Sequence, residues 1–159
     1  MKHIISALVQ NESGVLAHIS GLFAGRGFNI DSLAVGETEA PDISRMTIVA
    51  EGDEAILEQI VKQLRKVITV IKVQDFSGRA YVERDLMLVK LNAPAGRRSE
   101  ILELVGLFRG RVVDVCSNEL MVELSGPESK LEAFMSLVRP FGIKEMSRTG
   151  RVALMRGNT

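Results

Sequence analysis

Asn11-Glu12-Ser13-Gly14 is a short polar loop that runs directly into apolar residues at helical spacing: Val15, Leu16, Ile19, Leu22 and Phe23. The first N–H groups of a helix lack intrahelical partners and lie at the positive end of its dipole, so this junction is a cradle for a carboxylate. Ser13 is the expected N-cap. Gly14, with no side chain, leaves the backbone open to close approach. Read locally, the same residues also describe an ordinary capped helix start. A second polar residue, Asn29, stands in Phe28-Asn29-Ile30-Asp31, which reads as the start of a strand. Asn11 and Asn29 each carry donor and acceptor atoms, suited to the ammonium and carboxylate of an α-amino acid. Val15, Leu16 and Ile30 are the apolar neighbours that would favour an aliphatic ligand side chain.

Groups for catalysis are scarce by comparison. His3 and His18 are the only histidines and Cys116 the only thiol, and no His, Cys or carboxylate spacing forms a metal-ligand set. No nucleophile elbow, P-loop or dinucleotide fingerprint stands at a strand–helix junction. The carboxylates are scattered over what read as solvated helix faces. We therefore expect a non-enzymatic chain with no cofactor or metal of its own. Lys plus Arg equals Asp plus Glu at 20 each, which provides no field to recruit nucleic acid or an anionic membrane. An RNA-binding sheet would need stacking aromatics, and there is no Trp and one Tyr. A single cysteine excludes an internal disulfide framework and a cysteine-held iron–sulfur cluster. No apolar run approaches the length of a membrane helix, and the N-terminus carries no signal-peptide pattern. The expected compartment is the cytoplasm.

The elements that must position the loop come in two similar sets. Residues 2–9 alternate as a strand, and Val15 begins a helix that Gly25-Arg26-Gly27 ends. Strands follow at 28–35 and 44–50, a helix carries Ile56, Leu57, Ile60, Val61 and Leu64, and a strand spans 70–74. The order β-α-β-β-α-β repeats about 80 residues later: strand 86–91, a helix with Ile101, Leu104, Val105 and Phe108, strands 111–115 and 120–124. Pro127, expected at the first helical position, then opens a helix with Leu131, Phe134, Met135 and Val138. A strand at 143–146 and a tail from Arg148 complete the chain. The expected fold class is α+β, two ferredoxin-like βαββαβ domains at 1–76 and 77–159 joined by a short linker near 75–84. Cys116 is expected at a strand end as a small apolar residue without a role.

Such a sheet leaves one face and its edges open, and about 80 residues make only a marginal core, so association is expected. The first helix carries Ala17, Ser20, Gly21 and Ala24 opposite its core stripe, where a solvated face would hold Lys and Glu. That small-residue face reads as a subunit contact. The second strand of a split β-α-β sheet lies at an edge, and pairing two such edges would bring Asn29 of one chain towards the loop of the other.

The stretches Asn11-Glu12-Ser13-Gly14-Val15-Leu16, Arg26-Gly27-Phe28-Asn29-Ile30-Asp31-Ser32-Leu33 and Arg148-Thr149-Gly150 resemble the small subunit of acetolactate synthase (acetohydroxyacid synthase) over the full length. The resemblance implies an N-terminal amino-acid-binding ACT domain, a C-terminal domain, and a regulatory role in valine and isoleucine biosynthesis. It implies a homodimer through the ACT domain and a large catalytic subunit as partner. That subunit would be activated by this chain and would hold thiamine diphosphate, Mg and FAD. It also implies feedback inhibition by valine, bound between two ACT domains by Asn11, Gly14, Val15 and Leu16 of one chain and Asn29 and Ile30 of the other. Residues 1–76 alone leave open an amino-acid sensor serving a different enzyme or repressor; the second half and the tail favour acetolactate synthase.

Overall fold

The structure, a computed structural model, describes residues 1–157 and divides into two compact units. One comprises Met1–Val82 together with the chain from Arg151, the other Glu83–Gly150.

In the first unit β1 (Lys2–Gln10), α1 (Val15–Gly25), β2 (Asn29–Glu37), β3 (Ile43–Glu51), α2 (Glu54–Arg65) and β4 (Val70–Asp75) form a four-stranded sheet, order β2-β3-β1-β4, with two helices. All neighbouring strands are antiparallel. Alternation puts Ile5, Ala7, Val9, Met46, Ile48 and Ala50 on the face that meets Ile19 and Phe23 of α1 and Leu57, Ile60 and Leu64 of α2. Burying that face is what holds two short helices in place, since neither would be stable alone. Asp53 caps α2 by accepting the Ile56 N–H at 2.9 Å, with Glu54 in the first turn and Lys62 and Arg65 in the last. At the end of α1, Gly27 takes φ 70° while Phe28 N–H bonds back to Phe23 O at 3.1 Å. The glycine-ended helix is as expected, with Gly27 in the left-handed position.

The second sheet face is not left open in this unit. Ile4 and Val49 are buried there against Phe76 and Ala153, with Tyr81 and Met155 packed alongside and Phe76 and Tyr81 stacked at 5.5 Å. Ala153 belongs to a further strand, β9 (Val152–Met155), which pairs with β5 (Tyr81–Asn92); Arg156 N–H bonds Ala80 O at 3.0 Å. The chain expected as a plain tail of the second domain is therefore a strand of the first unit from Arg151, and the linker residues up to Val82 join it there. Four residues are too few for alternation to show, and their partners lie some seventy positions away.

The second unit contains most of β5, α3 (Arg98–Leu107), β6 (Arg111–Val115), β7 (Glu119–Gly126), α4 (Glu128–Val138), a 3-10 turn (Arg139–Phe141) and β8 (Ile143–Arg148). Its strand order β6-β7-β5-β8 repeats the first sheet's arrangement, and Met87, Val89, Leu91, Val122, Leu124, Ile101, Leu131 and Phe134 fill its core. Pro127 stands one residue before α4, at the N-cap with φ −66° and ψ 158°, where its ring fixes the same φ it would need inside the helix. Cys116 follows β6 as expected but is exposed. A buried carboxylate organises the end of this unit: Asp85, 3% exposed, accepts from Arg148 Nη2 at 2.8 Å and Nε at 3.2 Å and from Thr149 Oγ1 at 3.2 Å. Arg148 also reaches Glu132 at 2.8 Å. Burial opposes the guanidinium charge, but hydrogen bonds to Glu132 and Asp85 outweigh it and raise its pKa above the ordinary value.

Candidate functional site

The loop between β1 and α1 is held from below. Asn11 N–H bonds Asp42 O at 2.7 Å, and its Nδ2 donates to Pro41 O at 3.0 Å and to Glu37 Oε1 at 3.3 Å, so the loop is fastened to the β2–β3 turn. Gly14, not Ser13, is the N-cap of α1. It has φ 85° and ψ −9°, a left-handed conformation that L side chains rarely adopt, and no side chain caps the helix. A Cβ at Gly14 would meet nothing within 4 Å, so its glycine is required by backbone conformation and not by crowding inside this chain. No side chain caps the first turn of α1, and the uncapped N–H groups of a helix start can take a small anion.

The apolar residues separate into two groups. Val15 is 7% exposed and packs into the core with Ile19 and Phe23, so within one chain its side chain faces inward. The helix begins at Val15, and the core stripe claims its first position. Ile30 is partly buried against the same core. Leu16, 46% exposed, keeps its side chain outside. Ala17, Gly21 and Ala24 are exposed and Ser20 is half-buried, and a Cβ on Gly21 would meet nothing within 4 Å. This face of α1 is open in the single chain.

Asn29 is exposed, and its Nδ2 donates to Asp31 Oδ1 at 2.8 Å; Lys2 Nζ lies 3.4 Å from Asp31 Oδ2. The register shows that one chain does not bring the two asparagines together. Asn29 pairs with Glu51 at one end of β2, while Glu37, which Asn11 touches, pairs with Ser44 at the other. At about 3.3 Å per residue, the strand separates them by roughly 26 Å. β2 is also an edge of its sheet. An antiparallel two-fold pairing of β2 with its copy would reverse one strand against the other and set Asn29 of each chain beside Glu37 and Asn11 of its mate.

Asp31 and Glu37, which accept from the two candidate asparagines, are not among the residues expected from the sequence. Asp31 lies two residues from Asn29 and could have been noticed as a short-range acceptor; Glu37 meets Asn11 only through the fold. A cavity of about 460 Å³ elsewhere in the first unit is lined by His3, Glu54, Glu58, Phe76 and Tyr81 among others. The ring nitrogens of His3, only 6% exposed, lie 3.1 Å from Gly52 O and 3.2 Å from Ser77 Oγ, so the imidazole is fully occupied as a tie between segments. Among the described residues no group of three or more His, Cys, Asp or Glu could hold a metal ion, and no helix is long and apolar enough to cross a membrane.

Residues 5–72 match the model of the AHAS small subunit-like ACT domain, so the βαββαβ unit with β2 at its edge is an ACT-type module. Residues 84–157 match the small subunit of acetolactate synthase. A probable acetolactate synthase small subunit of Archaeoglobus fulgidus is 52% identical over 158 residues, 99% of each chain. Its counterpart in Methanothermobacter thermautotrophicus is 54% identical over 157 residues, 98% of this chain and 94% of that one. The crystal structure of the acetolactate synthase small subunit from Thermotoga maritima superposes with a TM-score of 0.92 at 40% identity, covering 100% of this chain and 99% of that one. The chain belongs to the acetolactate synthase small-subunit family, and it is a regulatory, non-catalytic subunit.

Proposed function

We propose that this chain activates a large catalytic subunit of acetolactate synthase and makes it sensitive to valine, bound at a homodimer seam. The observation that carries the reading is the split of the candidate site along β2. Asn11 and Gly14 stand near one end of that edge strand and Asn29 at the other, so only a second copy completes the constellation. An exposed strand edge can pair with another chain, and closed two-fold dimers are the commonest homo-oligomers. The small residues Ala17, Gly21 and Ala24 let α1 approach its mate across the same axis.

In this arrangement the ligand carboxylate meets the first-turn N–H groups of α1, and its side chain lies near Leu16 of one chain and Ile30 of the partner subunit. Thiamine diphosphate, Mg and FAD remain with the catalytic subunit. A ligand shared by two chains stabilises whichever dimer geometry completes its contacts, and the free-energy difference between geometries is the coupling that reaches the enzyme. The test is calorimetric titration of the full-length chain with L-valine, alone and with the catalytic subunit, beside Gly14→Asp. Saturable binding near one ligand per chain, lost in the variant together with feedback but not activation, is the expected result. Retention of full valine sensitivity by Gly14→Asp would overturn the assignment.

A further inference from the structure

The two asparagine amides of the seam are each committed on one side before any ligand arrives. Nδ2 of Asn29 faces the Asp31 carboxylate at 2.8 Å, and Nδ2 of Asn11 faces the Pro41 carbonyl at 3.0 Å and the Glu37 carboxylate at 3.3 Å. Carboxylates and peptide carbonyls only accept hydrogen bonds, so the amide group turned towards them must be its NH₂. Turning either amide over would set oxygen against oxygen. The amide oxygen Oδ1 of each asparagine is therefore turned away from these acceptors and bonds to nothing among the described residues; Asn11 has spent both Nδ2 hydrogens, whereas Asn29 keeps one. Lys2 sits 3.4 Å from the other oxygen of Asp31 and holds that carboxylate in place.

We propose that Asp31 is a positioning residue that locks the Asn29 amide with its acceptor towards the ligand, so that the seam selects an ammonium group. This rests on the reading of the seam as the amino-acid site. Two acceptor oxygens, Oδ1 of Asn11 and Oδ1 of Asn29 from the partner subunit, suit the three donors of an α-ammonium. A 2-hydroxy acid of the same carbon skeleton brings one donor, and the 2-oxo acid brings none and faces both oxygens with a third. A site built to bond a donor rejects the analogue lacking it, because its polar groups are left unpaired. The order of affinity is amino acid, then 2-hydroxy acid, then 2-oxo acid, with valine favoured over 3-methyl-2-oxobutanoate by about 100-fold or more.

The experiment is competitive titration of the full-length chain with L-valine, 2-hydroxy-3-methylbutanoate and 3-methyl-2-oxobutanoate. In Asp31→Asn the neighbour can donate or accept, the Asn29 amide turns either way, and the valine-to-oxo-acid ratio falls about tenfold. A residue that merely shaped the strand would weaken all three ligands alike and leave the ratio unmoved. The reciprocal exchange, Asn29→Asp with Asp31→Asn, rebuilds the donor–acceptor pair in the opposite order and still presents an acceptor to the seam, so it restores the ratio. An unchanged ratio in Asp31→Asn, or a folded exchange variant that binds no valine, overturns the inference while leaving the seam as a valine site. Absence of valine binding by the parent chain, with and without the catalytic subunit, overturns the seam reading and this inference with it.

Discussion

Gly14 separates what a backbone requires from what a ligand requires. At φ 85° and ψ −9°, with nothing within 4 Å of an added Cβ, a side chain there carries a conformational cost and no steric one. For alanine that cost is about 1–2 kcal/mol, the ordinary penalty of a left-handed L-residue. Aspartate and asparagine enter that region more readily, and an aspartate beside the start of α1 gains about 0.3–1 kcal/mol from the helix dipole. Gly14→Asp should therefore be nearly as stable as the parent, and Gly14→Ala the less stable of the two. Valine binding should follow the opposite order. Two carboxylates about 4 Å apart near a surface repel by roughly 4 kcal/mol before salt screening, so Gly14→Asp should lose on the order of 100-fold in affinity. Gly14→Ala should lose only about tenfold or less. Urea unfolding and valine titration of the same preparations read both scales. Equal valine affinities for the Asp and Ala variants would refute the placement of a carboxylate at this helix end. Equal stability of Gly14→Ala and the parent would refute the conformational argument.

Gly21→Ala probes the open face of α1: in an isolated helix it would add about 0.5–1 kcal/mol of stability, but at a packed dimer contact it should instead raise the dimer dissociation constant about tenfold. Sedimentation equilibrium decides, and a more stable chain with unchanged association would place the contact elsewhere. Asp85→Ala strips Arg148 of a buried partner; because Arg148 is 24% exposed and keeps Glu132, the cost should sit near or below the low end of the roughly 3–5 kcal/mol typical of broken buried pairs. A urea midpoint that does not move would mean that the pair contributes no net stability. Glu119 is held below the ordinary carboxylate pKa mainly by its hydrogen bond from Lys144, so its contribution is present above the unfolded-state pKa and is lost as pH falls through the folded one. Lys144→Met should move the Glu119 midpoint upward in a side-chain NMR titration, and an unmoved midpoint would assign the shift to another cause.

The repeated β-α-β-β-α-β order was legible in the sequence because it rests on local physics. Alternation in residues 2–9 and 44–50, helical stripes such as Ile56 to Leu64, and glycine at Gly27 each report a backbone state through neighbours a few positions away. The polar loop from Asn11 to Gly14, the small residues of α1 and the identity of the family were readable for the same reason: each is carried by short-range sequence patterns. What the tertiary structure alone decided depends on distant partners. Val15 turned inward because the helix starts there and the core takes its first position; Ser13 lost the cap to a left-handed Gly14; and β9 joined the first unit because Ile4, Val49 and Phe76 needed covering. The polarity of Asn11, fixed by Pro41 and Glu37, and the length of β2 between the two asparagines likewise follow from strand register. Side-chain type is written residue by residue, but the direction a buried or hydrogen-bonded group faces is settled only when the chain brings its partner to it.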